Sequence, residues 1–203
     1  REEPRCSVLV DVFKREAQDQ IHALLQDFMS LLAYLVSNGP ISSTPCSPQA
    51  LISTLWLTAR WIPVYLLRES PSRLEAPFAG SMGERFLDEL VPCLRTALVA
   101  WRSDPDVIVA VSLVWEALAR SSGAMQVWLA KEPVFALVKD TLATLELLPD
   151  AAQPFILRAL VRCVDATRDG HALAAQVRGM YYPLIMHAAQ ARFAAAAPAS
   201  PGA

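Results

Sequence analysis

Residues 103–121 read SDPDVIVAVSLVWEALARS, a stretch that predicts a helix with a clearly marked start. Asp104 can accept hydrogen bonds from the first free N–H groups of a helix, and Pro105 suits the first helical position because it has no N–H to satisfy. Asp106 carries the charge that the positive end of the helix dipole favours. Apolar residues then recur at three- and four-residue steps, at Val107, Val111, Val114, Trp115 and Leu118. The stretch therefore predicts an amphipathic helix that ends near Ser121.

Residues 149–168 read PDAAQPFILRALVRCVDATR and predict a second helix of this kind over about 151–168. Asp104 and Asp150 are 46 residues apart, and we expect each to open the second helix of a pair. That spacing falls in the range of HEAT and armadillo repeats, roughly 40 to 47 residues. The sequence therefore predicts an all-α fold in which antiparallel helix pairs stack as a HEAT/armadillo-like α-solenoid. A compact helical bundle is the alternative, but a lone pair cannot cover its own apolar face, which favours the stacked array.

Before this region, the apolar pattern predicts a first helical stretch over about 6–37, with a possible break at 18–20. Asn38, Gly39 and Pro40 should end it with a left-handed cap and then a breaker. A second helix is expected from Ser47 as N-cap and Pro48 to about Arg68, bent at its internal proline, Pro63.

The other predicted helices complete the pairs. The stretch 70–83 is expected to be a long connection, followed by a helix over about 84–102. A short piece at 124–130 precedes a helix over about 133–148, and a last helix over about 170–193 contains Pro183. The chain is thus predicted to be one helical-repeat segment over 1–193 of a larger receptor, with an Ala/Pro-rich tail over 194–203 that is disordered or helical only in its first turn.

Composition excludes several classes of function. The 18 basic and 20 acidic residues leave a formal net charge of -2, so no basic surface for nucleic acid is expected. The apolar run 28–36 is too short to cross a bilayer, so no membrane insertion is expected. No signal peptide is indicated, and a first residue of Arg1 suggested an excerpt from a longer chain.

Sequence motifs for catalysis or metal binding are missing. The chain has no phosphate-binding Gly-rich loop, no H-E-x-x-H and no G-x-S-x-G, so we expect no enzyme, no catalytic residue and no cofactor. His22, His171 and His187 have no companions at metal-ligand spacing, and no metal site is expected. The four cysteines are expected to be reduced, intracellular thiols because they are widely scattered, at Cys6, Cys46, Cys93 and Cys163.

Three sets of polar or aromatic residues invite a functional reading. Arg158 and Arg162 share a helix face with Asp165 and Asp169. This face is either part of a ridge that binds a partner or a salt-bridged face exposed to solvent, and the second interpretation is favoured. Ordinary exposed charges also explain the acidic pairs Glu2/Glu3 and Asp88/Glu89 and the polar face of Asp19, His22 and Gln26. Five tryptophans are expected to fill gaps between helices with their indole N–H groups satisfied, namely Trp56, Trp61, Trp101, Trp115 and Trp128.

One run, CSPQALISTLWLTARWIPVYLL over 46–67, resembles a segment of the exportin-4 family in the importin-β (karyopherin) superfamily. The matching positions are Ser47, Pro48, Gln49, Trp56, Arg60, Trp61, Tyr65, Leu66 and Leu67. Five further features follow in the same order along the chain: the connection over 76–83, Trp101, Trp128 with the following Ala130-Lys131, and the helices near 153–160 and 183–193. The resemblance covers about 48–193 and depends on this collinear order, because no single motif is diagnostic. Pro63 and the alanine-rich tail depart from the family pattern.

The resemblance implies a nuclear export receptor that binds protein cargo together with Ran-GTP, contacts nucleoporins and shuttles between nucleus and cytoplasm. The family's amino-terminal Ran-binding repeats have no counterpart here, so Ran binding is expected of the whole receptor. The alternative from the residues alone is a HEAT-repeat scaffold or regulatory subunit of another complex. The sequence indicates neither the cargo, nor the direction of transport, nor the residues that contact a partner.

Overall fold

A computed structural model describes residues 20, 23–24, 26–43, 45–61, 81–119, 128–166 and 172–196. Within these residues every regular element is a helix, which confirms the predicted all-α class. No helix in these ranges is both long and apolar enough to cross a membrane.

The helices begin and end close to their predicted positions. The first, α1, covers residues 26–37, with residues 20 and 23–24 also helical. The remaining α-helices are α2 (Pro48–Trp61), α3 (Ser81–Ala100), α4 (Pro105–Leu118), α5 (Glu132–Ala143), α6 (Gln153–Asp165) and α7 (Ala172–Ala196). A 3-10 helix, Leu145–Leu147, follows α5.

These helices pack in two rows. In the even row α4 contacts both α2 and α6, and in the odd row α5 contacts both α3 and α7. Residues of α1 and α3 line one cleft, which places α1 beside α3 at the start of the odd row. The rows are joined by contacts of α3 with α4 and of α6 with α7. Each helix thus packs on the helix two places along the chain, which is consistent with a helical repeat.

Polar contacts between neighbouring helices of the same row join residues that are about one repeat length apart in the sequence. Arg95 and Asp140 are 45 residues apart, Lys131 and Asp88 are 43 apart, and Arg158 and Glu116 are 42 apart. The Cys163 thiol donates to the carbonyl of Trp115 across 48 residues. These separations agree with the 46-residue period read from the sequence.

The two predicted helix starts have different outcomes. The Asp104 carboxylate accepts hydrogen bonds from the N–H groups of Asp106 (3.0 Å) and Val107 (3.2 Å), which confirms it as the N-cap of α4. Asp150 does not cap α6, because that helix begins three residues later, after Ala152, with no side-chain cap. The Asp150 carboxylate accepts instead a hydrogen bond from the side-chain amide of Gln153 (3.2 Å). Pro154 lies in the first turn of α6, as Pro105 does in α4.

Other predicted boundaries also change. The helix predicted over 133–148 ends as an α-helix at Ala143 and tightens into the 3-10 turn, which buries Leu145 and Leu148. The last helix contains Pro183 as predicted and runs through Ala196, one turn into the predicted tail. The segment with Pro63 and the residues 197–203 lie outside the described residues.

Gly39 has a role that the sequence did not indicate. Its backbone is not left-handed, so Gly39 does not supply the left-handed cap that was predicted for the stretch 38–40. The backbone and side-chain N–H groups of Asn38 both donate to the carbonyl of Tyr34. A Cβ at Gly39 would lie 3.1 Å from the Cβ of Ala100 and 3.4 Å from its carbonyl oxygen. Glycine is therefore needed because the loop after α1 passes directly over the end of α3.

We expect Gly39→Ala to lower the free energy of unfolding by about 1 kcal/mol, because the methyl of Ala100 has no rotamer by which to move away. Gly179→Ala is the matched control, since a Cβ there meets no atom within 4 Å and the site is helical. That variant should gain roughly 0.8–1 kcal/mol. Urea unfolding measures both, and equal effects of the two substitutions would contradict the close approach at Gly39.

Candidate interaction surface

Clefts recur along the odd row, one between each two neighbouring helices. The cleft between α1 and α3 encloses about 420 Å³, that between α3 and α5 about 270 Å³, and that between α5 and α7 about 670 Å³. Each is lined by the side chains of two helix pairs. The odd row therefore presents a series of grooves at the spacing of the repeat.

The α1/α3 cleft has an apolar floor and a polar rim. Met29 and Cys93 are buried at its base, Pro92 lies beside them, and Gln26 and Glu89 lie at its edge. Burial, with a smaller effect of the Glu89 charge, raises the pKa of the Cys93 thiol from 9.0 to about 11. Cys93 is therefore protonated and weakly nucleophilic at neutral pH, which agrees with the prediction of a structural cysteine.

An exposed ion pair crosses the α3/α5 cleft. Arg95 binds Asp140 at 2.7 Å, and both side chains are more than half exposed. Leu137 and Leu148 are buried below this pair, while Val99 is 68% exposed at the rim. The cleft thus combines a small apolar floor with a charged bridge.

The α5/α7 cleft is organised around the buried amide of Gln153. Its nitrogen donates to the carbonyl of Leu148 (2.9 Å) and to the Asp150 carboxylate, and its oxygen accepts from Arg192 of α7 (2.9 Å). One side chain therefore ties the turn before α6 to the last helix. The exposed His187 lies in the same cleft. Among the described residues, no group of His, Cys, Asp or Glu side chains could hold a metal ion.

In the even row, one carboxylate joins α4 to α6. Glu116 binds Arg158 at 3.0 Å and Arg162 at 2.9 Å, and only 15% of its side chain is exposed, against 50% and 56% for the two arginines. The Arg158 guanidinium also lies 5.1 Å from the ring centroid of Phe155. Both arginines are thus salt-bridged, as the favoured interpretation expects, but their partner is Glu116 of the preceding helix pair and the predicted face shared with Asp165 and Asp169 is not confirmed.

Asp165, predicted to share that face, accepts a hydrogen bond from the hydroxyl of Tyr182 on α7. Asp169, Glu2, Glu3, Asp19, His22 and His171 lie outside the described residues. In the pair Asp88/Glu89, Asp88 binds Lys131 at 2.8 Å and Glu89 lines the first cleft. The described carboxylates Asp165, Asp88 and Glu89 each lie where one helix meets another. The structure does not bring Asp165 together with the other two.

The tryptophans follow the prediction only in part. Trp101, Trp115 and Trp128 are buried, and the rings of Trp115 and Trp128 are 5.2 Å apart. The expectation that each indole N–H finds a partner is not met for Trp101 and Trp128, whose buried nitrogens have no hydrogen-bond partner among the described residues. Trp56 is 47% exposed on α2, and the side chain of Trp61 is not described.

Glu116 and Gln153 are the residues that sequence reasoning missed. Both are polar residues that join two helices, and their partners on the other helix are 39 to 46 residues away. Opposite charges one repeat apart, such as Glu116 with Arg158 and Arg162, were the signal that could have found the first. Nothing in the local sequence of Gln153 distinguished it from an exposed helix-start residue.

The arrangement supports distributed contacts with a protein more than chemistry at one point. One groove lies between each two neighbouring helices of the odd row, the first two have apolar floors, and the Arg95–Asp140 pair crosses the second. Such surfaces suit an extended polypeptide partner. No family model, curated protein or solved structure matches the chain.

We expect Glu116→Gln to lower the free energy of unfolding by about 1 kcal/mol, because two arginines lose a largely shielded carboxylate. Asp140→Asn is the control, since the Arg95–Asp140 pair is exposed on both sides and should cost less than about 0.5 kcal/mol. Double-mutant cycles with Arg158→Ala and Arg95→Ala compare the two bridges. Equal coupling energies would show that Glu116 has no special role.

A separate prediction concerns alkaline pH. The folded state raises the pKa of Cys93, so its contribution to stability is complete below pH 9 and is lost as pH rises towards 11. Burial raises the pKa values of Cys163 and Tyr181 in the same direction. The free energy of unfolding should fall above pH 9, by at most about 1.4 kcal/mol per pH unit for each proton.

Cys93→Ala should make this fall less steep, whatever its effect on stability at pH 7. Urea unfolding between pH 7 and pH 11 measures the slopes, and Cys46→Ala is the control because Cys46 is only half buried. Parallel curves for the wild type and Cys93→Ala would contradict the shift at Cys93.

Proposed function

We propose that this chain is a HEAT-type α-solenoid segment that binds proteins, and that it works as part of a nuclear transport receptor. The observation that carries the first part is the repeat spacing of the contacts between helices: the Arg95–Asp140, Lys131–Asp88 and Arg158–Glu116 bridges join residues 42 to 45 apart. The two rows and the series of clefts support it further.

The transport part of the proposal is supported by the collinear sequence resemblance to the exportin-4 family over about 48–193. In such a receptor, protein cargo and Ran-GTP bind together in the nucleus and are released in the cytoplasm, and nucleoporins are contacted during passage. These partners belong to the whole receptor. The near-neutral charge of the chain fits a protein-binding role better than a role in binding nucleic acid.

The mechanism follows from the two rows. A small change in the angle between successive pairs lengthens one row relative to the other and so changes the curvature of the whole array. The Arg95–Asp140 bridge in the odd row is exposed on both sides, so breaking and remaking it costs little. Cargo and Ran can then favour the same curvature, and each raises the affinity of the other by the same factor.

The test is a pulldown with the full-length protein that contains this chain as bait and purified Ran as probe. We expect Ran-GTP to be retained and Ran-GDP to be lost. Adding a cell extract as the source of cargo should raise the apparent affinity for Ran-GTP by about 5- to 150-fold, the usual size of such coupling.

Equal retention of the two nucleotide states would overturn the transport proposal. Co-purification with a kinase or phosphatase, in amounts that Ran does not change, would then favour a HEAT-repeat scaffold for another complex. A full-length protein that retained no protein partner in either assay would overturn the binding role as well.

A further inference from the structure

The side of α4 that faces solvent is a narrow strip in the middle of the even row. Between positions 107 and 118 nine residues are buried, and the three others are Val109, Leu113 and Glu116. They follow one another at steps of four and three residues, so they lie within about 60° around the helix. Two apolar side chains and one carboxylate are therefore in line on α4, each partly open to solvent.

The exposed residues of α6 form a strip as well. They are Pro154, Arg158, Arg162 and Asp165, and they lie within about 80° around the helix. Glu116 of α4 binds Arg158 at 3.0 Å and Arg162 at 2.9 Å, which joins the two strips. The even row thus presents two apolar side chains on α4 and two arginines on α6, which meet at one carboxylate.

Contacts within the protein hold the two guanidinium groups in place. Glu116 is the fixed partner, because only 15% of its side chain is exposed, against 50% for Arg158 and 56% for Arg162. The Arg158 guanidinium also lies 5.1 Å from the ring centroid of Phe155. Because these long side chains are ordered in advance, binding a partner costs less side-chain entropy.

The bridge leaves positive charge and hydrogen-bond donors unused. One carboxylate neutralises only one of two arginines, and most of the five N–H groups of each arginine have no acceptor among the described residues. Asp165, on the same strip, accepts from the Tyr182 hydroxyl and forms no ion pair with either arginine. A carboxylate added to Glu116 and the two arginines makes their formal charges cancel. A phosphate dianion would leave an excess of negative charge beside Glu116.

We propose that the surface formed by Val109, Leu113, Arg158 and Arg162 binds a segment of a protein partner that carries apolar residues next to an Asp or Glu. We call it the two-arginine surface. The apolar side chains of the segment lie along α4, and its carboxylate accepts hydrogen bonds from the remaining N–H groups of the arginines, whose planar shape suits that group. The inference rests on the protein-binding part of the proposed function and is independent of nuclear transport.

Fluorescence anisotropy of a labelled twelve-residue peptide of Leu, Glu and Ser, titrated with the 203-residue chain, tests the proposal. We expect saturable binding that weakens as salt is added, because the ion pairs to the arginines are exposed. A peptide with Gln in place of every Glu should bind more weakly, since it keeps the apolar residues and loses the carboxylates.

Variants of the protein locate the binding. Arg158→Gln and Arg162→Gln should each weaken it about two- to fivefold, the usual effect of one exposed ion pair. Arg158→Lys keeps the charge beside Glu116 and lacks the planar fork, so it should also weaken binding in a chain whose circular dichroism is unchanged.

Arg102→Gln is the matched control. Arg102 is exposed in the turn before α4, whereas Glu116 lies roughly 16 Å along the helix from its start. The substitution removes the same charge from the chain far from the two-arginine surface, so it should leave the affinity unchanged.

Equal losses in Arg102→Gln and in the Arg158 and Arg162 variants would overturn the proposal, because attraction by net charge alone would explain them. Equal binding of the Gln peptide would overturn it in favour of an apolar contact. Tighter binding of a phosphoserine peptide would do so in favour of a phosphorylated partner. No binding up to about 1 mM wild-type protein would overturn it outright. Retention of Ran-GTP by the full-length protein reports on nuclear transport alone, so its failure is distinguishable from these outcomes.

Discussion

The whole structure depends on the burial of α4 between α2 and α6. Val107, Val111 and Val114 have no exposed surface, and the alanines on its flank, Ala110 and Ala117, let a neighbouring helix approach closely. Such a helix cannot be stable alone in water, because apolar residues surround most of its circumference. It requires a helix on each side, and that requirement produces the even row. The odd row then covers the remaining face, so the two-row arrangement follows from the pattern of one helix.

The helices themselves could be predicted from the sequence because their signals are local. Asp104 and Pro105 mark the start of α4 by chemistry that acts within four residues, and α2 begins at Pro48 as predicted. The errors occurred where a tertiary contact outweighed the local signal. Asp150 has the right type and position for a cap, but the buried Gln153 amide engages its carboxylate and the helix starts later. Gly39 has the sequence context of a left-handed cap, but its backbone is not left-handed, and its lack of a Cβ matters for the approach to Ala100.

The candidate surface was less predictable than the fold, since its parts come from different pairs. Arg158 and Arg162 could be placed on one helix face from their spacing, but their shared partner Glu116 is one repeat earlier. Periodicity within one helix carries no information on that distance, whereas the period of the repeat does. The three clefts depend on the angle between neighbouring helices, which no local pattern encodes.

The bridges at repeat spacing bear on how such an array can grow. The acceptors Asp88 and Glu116 lie on the second pair and their donors Lys131 and Arg158 on or beside the third, so each interface is encoded by residues about one period apart. A tandem duplication of one period would carry a donor and an acceptor into the new copy and so supply the new interface with matched charges. A duplication of any other length would separate them. A lengthening that keeps the Asp88–Lys131 and Glu116–Arg158 type of bridge therefore comes in steps of about one period.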